Sequence, residues 1–99
     1  MSATIRHAKH LAQINGEKQA ITIDLYSRQY GIEGQGDKNI PSEINIRVID
    51  QLSGEVQKGK YSIVFHAHGG VEGGTIILSM GKKTVNIQLD PVVGSVVIK

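Results

Sequence analysis

Near the start of the chain, apolar side chains recur every three to four residues and fall within about 120° of one another on a helical wheel. These positions are Ile5, Ala8, Leu11 and Ala12. Ser2 is a candidate N-cap, and Asn15-Gly16 supplies a stop, because glycine readily adopts the left-handed conformation that ends helices. The spacing predicts a helix over roughly residues 3–14 whose apolar side packs on the rest of the domain.

From Gly16 onward the hydrophobic period changes to two, which is typical of half-buried strands. A nearly continuous apolar run from Thr75 to Met80 predicts a strand covered on both faces. Loops are expected at 33–41 and 51–60, and a last turn at 90–94. The chain is thus expected to be an α+β domain of one helix and about six or seven short antiparallel strands. The strands are expected around 21–25, 30–32, 44–48, 61–66, 75–80, 85–89 and 95–98.

The segment Phe65–Leu78, FHAHGGVEGGTIIL, carries two histidines one residue apart and two pairs of glycines. Glycine tolerates positive φ, so Gly69-Gly70 and Gly73-Gly74 are expected on the two sides of a turn. Thr75–Leu78 would then return as the strand paired with the one that Phe65 ends. The segment is interpreted as a β-hairpin.

A metal site is an alternative interpretation of the histidines, since His66 and His68 would lie on one side of a strand and imidazole is a good ligand for zinc or copper. Further ligands would have to come from elsewhere in the chain. The sequence contains no cysteine and no His-Glu-x-x-His spacing. Solvent-facing histidines are therefore favoured, and no metal or cofactor is predicted. The candidate further ligands are His7, His10, Asp24 and Glu72.

Other arrangements in the sequence do not predict catalysis. Gly70 and Gly74 are not followed by the lysine and helix that a phosphate-binding Walker loop requires. Ser62, His66 and Asp24 supply the residue types of a catalytic triad, but nothing in their spacing singles them out. No catalytic or cofactor-binding residue is predicted, and the chain is expected not to be an enzyme.

Composition narrows the function classes further. Ninety-nine residues fit one domain, and the absence of cysteine excludes disulfides and thiolate chemistry within this sequence. Eleven Lys and Arg are scattered among nine Asp and Glu, for a net charge of +2, so nucleic acid is not favoured as a partner. The sequence has no apolar run near the roughly 20 residues that cross a bilayer.

The hairpin segment also resembles a known family. Ile63-x-Phe65, Gly69, Gly73-Gly74 and then VNIQLDPVVGSVVI, with Asp90 and Gly94, resemble the C-terminal half of H-type minor pseudopilins. These proteins belong to bacterial type II secretion systems and share a family with FimT-like minor pilins of type IV pili. In the N-terminal half, HLAQINGEKQAITIDLYSRQYGI and Ile40-Pro41 resemble the same family. His66 and His68 depart from its pattern.

The resemblance implies a pilin-like fold, in which an N-terminal helix packs on one or more antiparallel β-sheets. Residues 1–99 would form a single pseudopilin globular domain, with 1–15 as the C-terminal part of the pilin helix and 19–99 as the β-rich region. Such proteins carry an apolar helix ahead of this domain. That helix would anchor the protein in the inner membrane of a Gram-negative bacterium, with the globular domain in the periplasm.

The function implied by the resemblance is structural: a minor pseudopilin of the secretion pseudopilus, which supports export of folded proteins across the outer membrane. The implied partners are other major and minor pseudopilins, the inner membrane through the preceding helix, and secreted protein cargo. The loops 33–41 and 51–60 would contact these partners. The alternative is a FimT-like type IV pilus minor pilin active in pilus assembly, adhesion or DNA uptake, for which Lys58, Lys60 and Lys82-Lys83 are the candidate basic residues.

Overall fold

The predicted helix is confirmed as α1, Ser2–Asn15, in a computed structural model that describes residues 1–56, 58–91 and 94–99. Ile5, Ala8 and Ala12 are fully buried, and Leu11 packs against them while partly exposed. The apolar stripe read from the sequence is therefore the side that the helix buries, because a stripe of this spacing occupies one face. Thr4, which the stripe does not include, is also buried.

The two ends of α1 differ in how well the sequence predicts them. Gly16 ends the helix with φ of 66°, in the left-handed region, as predicted. At the other end the cap is Met1 rather than Ser2, and no side-chain hydrogen bond caps the helix. The helix begins one residue early because the backbone N–H of Ile5 already donates to the carbonyl of Met1 at 3.0 Å.

The described residues form ten strands after α1, more than the sequence predicted. The extra strands are short and lie in segments expected to be loops or turns. The predictions of unbroken loops over 33–41 and 51–60 are therefore wrong, because each of these segments contains a strand. The strands are β1 (Gln19–Asp24), β2 (Gln29–Ile32), β3 (Lys38–Asn39), β4 (Asn45–Asp50), β5 (Gly54–Val56), β6 (Lys60–Phe65), β7 (Val71–Glu72), β8 (Thr75–Met80), β9 (Lys83–Leu89) and β10 (Val96–Ile98).

The strands pair into two antiparallel five-stranded sheets, with orders β3-β2-β1-β6-β7 and β10-β9-β8-β4-β5. The helix contacts β1, β2 and β6 of the first sheet. An α+β fold with one N-terminal helix and antiparallel sheets is thus confirmed. This arrangement is compatible with a pilin-like one.

The core joins the helix to both sheets. In the first sheet Ile21 lies opposite Ile32 on one side and Ile63 on the other, so the three side chains share a face. In the second sheet, Val48 and Ile87 flank Ile76. All six belong to one buried cluster that also includes the apolar side of α1. The alternation of apolar and polar residues therefore predicted correctly which side chains of each sheet face the core.

The apolar run Thr75–Met80 is covered on one face only. Ile76 is fully buried, but its neighbours Thr75 and Ile77 on the opposite face remain partly exposed. The prediction of a strand covered on both faces is wrong, because no element of the described fold packs completely over the outer side of the second sheet.

The hairpin prediction for Phe65–Leu78 is partly correct in its turn and wrong in its partner strand. The turn lies at residues 66–70, and the strand β7 occupies the positions between the two glycine pairs. β6 pairs with β7, Phe65 opposite Val71, whereas β8 crosses to the second sheet and pairs with β4 and β9. Of the four glycines only Gly69 has positive φ, at 105°. Gly74 serves another purpose, since a Cβ there would lie 2.0 Å from the carbonyl oxygen of Ile49. It lets the chain cross between the sheets.

Some predicted features involve residues outside the described ranges. Val92 and Val93 of the predicted turn 90–94 are among them, as is Gln57 of the predicted loop 51–60. Within the described part of that turn, the backbone N–H of Gly94 donates to the carbonyl of Asp90 at 2.8 Å. Across residues 1–56, 58–91 and 94–99, no helix has both the length and the apolar character needed to cross a bilayer.

Candidate functional site

The turn between β6 and β7 holds both histidines of the segment singled out by the sequence. The backbone N–H of His66 donates to the carbonyl of Gly70 at 2.8 Å, and that of Gly69 donates to the carbonyl of His66 at 3.0 Å. The positive φ of Gly69 closes this turn. The turn also packs against Gly94, where a Cβ would lie 1.5 Å from the Gly69 carbonyl oxygen. Glycine is thus required at both contacting positions.

The structure brings His66, His68 and Glu72 together. His66 Nε2 lies 2.7 Å from a carboxylate oxygen of Glu72, and the rings of His66 and His68 stack with centroids 5.2 Å apart and planes inclined by 7°. The Nδ1 atom of His68 accepts the backbone N–H of Gly70 at 3.3 Å. Stacked rings expose their faces to each other, so their nitrogens do not converge on one point. The arrangement is a surface hydrogen bond between His66 and Glu72, with His68 stacked on the histidine ring.

The other candidate ligands do not join this cluster. His7 and His10 lie on α1, and Asp24 pairs with Lys60 at the far end of β6 from His66. Six residues of strand separate those ends, about 20 Å. The described ranges accordingly contain no group of three or more His, Asp or Glu side chains placed to hold a metal ion.

The same distance along β6 separates Asp24 from His66, two of the three residues of the possible catalytic triad. Asp24 instead accepts the backbone N–H groups of Tyr26 and Ser27 in the turn that follows β1, at 2.9 and 3.0 Å. The hydrogen bond from Ser27 is the main influence that lowers the pKa of Asp24. Its carboxylate therefore stabilises a turn and does not orient His66.

A shallow cleft of about 280 Å³ lies between the amino end of α1 and the connection from β2 to β3. Among the described residues, its ionisable lining side chains are His7 and Lys38, and no carboxylate lines it.

A polar contact that the sequence analysis missed joins the two sheets. The Tyr61 hydroxyl, on β6, donates to a carboxylate oxygen of Asp50, on β4, at 2.5 Å. The same carboxylate accepts the backbone N–H groups of Leu52 and Ser53 at 3.0 and 3.1 Å. The Asp-x-x-x-Gly spacing of Asp50 and Gly54 signals the turn, but the tyrosine partner is eleven residues away and only the tertiary fold brings it there.

The ionisation of this pair follows from these contacts. The Tyr61 hydroxyl first, and then the N–H groups of Leu52 and Ser53, lower the pKa of Asp50. Burial first, and then the Asp50 carboxylate, raise the pKa of Tyr61. The pair therefore stabilises the fold between the two titrations, with Asp50 ionised and Tyr61 neutral.

Replacing Tyr61 with phenylalanine is expected to lower the free energy of unfolding by about 1 kcal/mol near neutral pH, the net value of one hydrogen bond. A carboxyl whose pKa is lower in the folded state stabilises above its unfolded pKa and loses that contribution as the pH falls through the folded pKa. The difference between wild type and Tyr61→Phe should therefore shrink below about pH 4. Urea unfolding at several pH values measures it; a difference that grows on acidification would contradict this assignment.

The chain was compared with protein-family models, with curated proteins and with solved structures, and it matches none of them. Any inference about function therefore depends on the structural features of the chain. They are an amino-terminal helix seated on the first antiparallel sheet, a histidine pair without convergent ligands among the described residues, and a hydrogen bond between the two sheets.

Proposed function

We propose that this chain is the globular domain of an H-type minor pseudopilin, a structural subunit of a type II secretion pseudopilus. The observation that carries the proposal is the placement of α1. The helix comes first in the chain and is seated on the first sheet through Ile5 and the small residues Ala8 and Ala12. Its opposite side, with Arg6, His10 and other polar residues, is exposed.

In this proposal the protein acts through shape and surface. α1 is the C-terminal part of a longer helix that anchors the subunit in the inner membrane and packs beside the helices of other pseudopilins. The exposed side of α1 then faces neighbouring subunits, and the sheets form a rigid head at the surface of the filament. Growth of the filament supports the export of folded proteins. The interactions with other pseudopilins, membrane and cargo belong to this proposal.

The alternative is a FimT-like minor pilin of a type IV pilus, and one feature of α1 favours it. The helix carries Arg6, His7, Lys9 and His10 and has no aspartate or glutamate along its length. A surface of this charge can attract an anionic partner such as DNA, with an affinity that falls steeply as salt rises. The same helix face would otherwise contact neighbouring subunits.

Deletion of the gene separates the candidates. For a pseudopilin, export of folded proteins is lost while pili are normal, and the full-length gene restores export. For the alternative, pilus formation or DNA uptake is lost while export continues. Normal export, pili and DNA uptake in the deletion strain would contradict both.

Crosslinking tests the role of the helix face directly. Because these 99 residues contain no cysteine, an introduced cysteine is the single thiol of this domain. His10→Cys, on the exposed side of α1, is expected to crosslink to another pseudopilin in intact cells. Lys18→Cys, exposed just beyond the helix, is the matched control. Equal crosslinking at both positions would argue against a helix-to-helix assembly.

A further inference from the structure

One edge of the second sheet is formed by β10, which pairs with β9 alone. The backbone N–H of Asp90 donates to the carbonyl of Ser95 at 3.0 Å, and the N–H of Lys99 donates to the carbonyl of Asn86 at 2.8 Å. These two bonds lie just beyond the ends of β10, so the ladder extends over residues 95–99. Because hydrogen-bonded and non-hydrogen-bonded pairs alternate along antiparallel strands, every second residue from Ser95 bonds to β9.

The residues between them direct their main chain away from β9. Val97 belongs to the series that bonds to β9, whereas the N–H and C=O groups of Val96 and Ile98 point to the outer edge of the sheet. Within the described ranges, no strand pairs with this edge and no loop hydrogen-bonds to these two residues. The edge therefore presents two N–H donors and two carbonyl acceptors, which are the groups that an added strand bonds.

β10 differs in composition from the other edge strands. The four edges of the two described sheets are β3, β7, β5 and β10. Each of the first three contains a charged residue, which discourages pairing with another chain, and these are Lys38, Glu72 and Glu55. β10 is Val-Val-Ile, with no charge and no proline, and such β-branched residues favour strands. Its edge is therefore the least protected of the four.

A shallow cleft of about 270 Å³ lies between α1 and β10. Val96 lines it from β10, and α1 contributes Arg6, Lys9, His10 and Gln13. These four residues are spaced i, i+3, i+4 and i+7, so they form one stripe along the helix, which we call the basic flank. Each of them can donate hydrogen bonds, and the arginine and lysine are positively charged at neutral pH.

No Asp or Glu side chain lines this cleft among the described residues. α1, β9 and β10 contain none, and the nearest ones along the chain are Glu17 and Asp90. Glu17 follows Gly16, which ends the helix. Asp90 lines a different cleft together with Val97, whose side chain projects from the opposite face of β10 to that of Val96. The surroundings of Val96 therefore favour a negatively charged ligand.

We propose that β10 and the basic flank together bind an extended, acidic segment of a partner protein, which adds to the edge of the second sheet as a further strand. Its main chain pairs antiparallel with Val96 and Ile98. Residues directly opposite these two project to the same face as the Val96 side chain, which lines the cleft with the basic flank. Acidic residues at every second position of the segment therefore meet Arg6 and Lys9. This binding does not depend on whether the chain is a pilus subunit.

Two other occupants would use only part of this surface. A nucleic acid has no peptide groups to pair with Val96 and Ile98, so it would contact the basic flank alone. Pairing of β10 from two copies of the chain would bring both basic flanks to the same side of the joined sheet, where like charges oppose association. An acidic strand satisfies both the open backbone groups and the charge.

The test uses a peptide of about nine residues, with glutamate at every second position and threonine or valine between. Titrated into ¹⁵N-labelled protein, it is expected to shift amide signals of residues 6–13 and 95–99 and to bind more weakly as salt rises. The amide protons of Val96 and Ile98 should become protected from hydrogen exchange, whereas that of Val97 is protected in the free protein as well. Exchange at Val96 and Ile98 that is as fast with the peptide as without it would overturn the proposal.

Two N-methylated peptides of the same sequence and charge separate strand pairing from electrostatic attraction. Methylation of the glutamate nitrogens removes the N–H groups that face Val96 and Ile98, and it should weaken binding at least about tenfold. Methylation of the threonine and valine nitrogens, which point away from β10, should change the affinity by less than about twofold. Equal affinity of the two methylated peptides, or tighter binding of single-stranded DNA to the same residues, would contradict strand addition.

Charge-reversal variants of the protein test the basic flank. Arg6→Glu should weaken binding of the peptide at least about tenfold, because it reverses a charge that lines the cleft. Lys58→Glu, at an exposed residue between β5 and β6, is the matched control and should leave the affinity unchanged. Far-UV circular dichroism and melting temperature establish that each variant is folded. Equal losses in the two variants would argue against the proposal, as would concentration-dependent dimerisation that protects Val96 and Ile98 without the peptide.

Discussion

Replacing Phe65 with alanine is expected to lower the free energy of unfolding by about 3–5 kcal/mol, the usual cost of removing a buried aromatic side chain. Phe65 is the largest of the fully buried side chains and the chain's single phenylalanine. It is the last residue of β6 and lies opposite Gln19 of β1 and Val71 of β7. Its side chain belongs to the buried cluster that joins the helix to both sheets. A loss of that size is a large share of the 5–15 kcal/mol that holds a typical domain together.

Urea unfolding followed by far-UV circular dichroism measures the effect. Tyr26→Ala is the matched control, because Tyr26 is 88% exposed and its removal should change stability by less than about 0.5 kcal/mol. If Phe65→Ala does not fold, Phe65→Leu, which keeps part of the volume, should fold with a smaller loss. Equal stability of the Phe65 and Tyr26 variants would contradict the assignment of Phe65 to the core.

Replacing Gly74 with alanine is expected to cost about 3 kcal/mol or more. The added methyl group would lie 2.0 Å from the carbonyl oxygen of Ile49 and 2.9 Å from the Cα of Asp50. Both are backbone atoms of β4, so no side chain can rotate away and the strand itself must move. That movement would also disturb the contact between Asp50 and Tyr61. The loss is measured as a shift in the urea midpoint.

The control for Gly74 is a glycine whose added methyl group meets nothing. Gly81 has φ of 61° and no heavy atom within 4 Å of the added Cβ, so Gly81→Ala should cost only about 1–2 kcal/mol, from the left-handed conformation alone. A Gly74→Ala protein as stable as Gly81→Ala would show that the close approach of the β7–β8 connection to β4 at Gly74 is not needed. Comparing the two variants separates the cost of the steric contact at Gly74 from the cost of the left-handed backbone conformation at Gly81.

The sequence predicted local structure wherever one period dominates. Ile5, Ala8 and Ala12 marked the buried side of α1, and alternation around Ile21 and Ile63 marked the inward face of the first sheet. These predictions succeed because burial on one face imposes the helical or strand period on the residues themselves. Gly16 ended the helix as expected for the same local reason.

Strand partners were not predictable in the same way. The segment after Phe65 contains a turn followed by an apolar strand, which favours a hairpin between neighbours. The fold instead inserts the two-residue strand β7 and sends β8 to the other sheet. Gly74 lies at this crossing. A glycine is needed there because the backbone of β4 lies against it, and not because of its own φ. Such a requirement is invisible until both segments are in place.

The candidate site shows the same division. The sequence places His66 and His68 one residue apart, but the stacking of their rings and the hydrogen bond with Glu72 depend on the turn that Gly69 closes. The contact of Asp50 with Tyr61 had no local signal, because Tyr61 lies on the first sheet and Asp50 on the second.

Side-chain periodicity was sufficient to predict a helix followed by half-buried antiparallel strands, because it reflects burial on one face of each element. Only the folded protein shows which strands share a sheet, which glycines must lack a side chain, and which apolar residues stay uncovered. Those properties arise from contacts between segments far apart in the chain, such as Gly74 against Ile49. Packing of one layer on another, and not local preference, sets them.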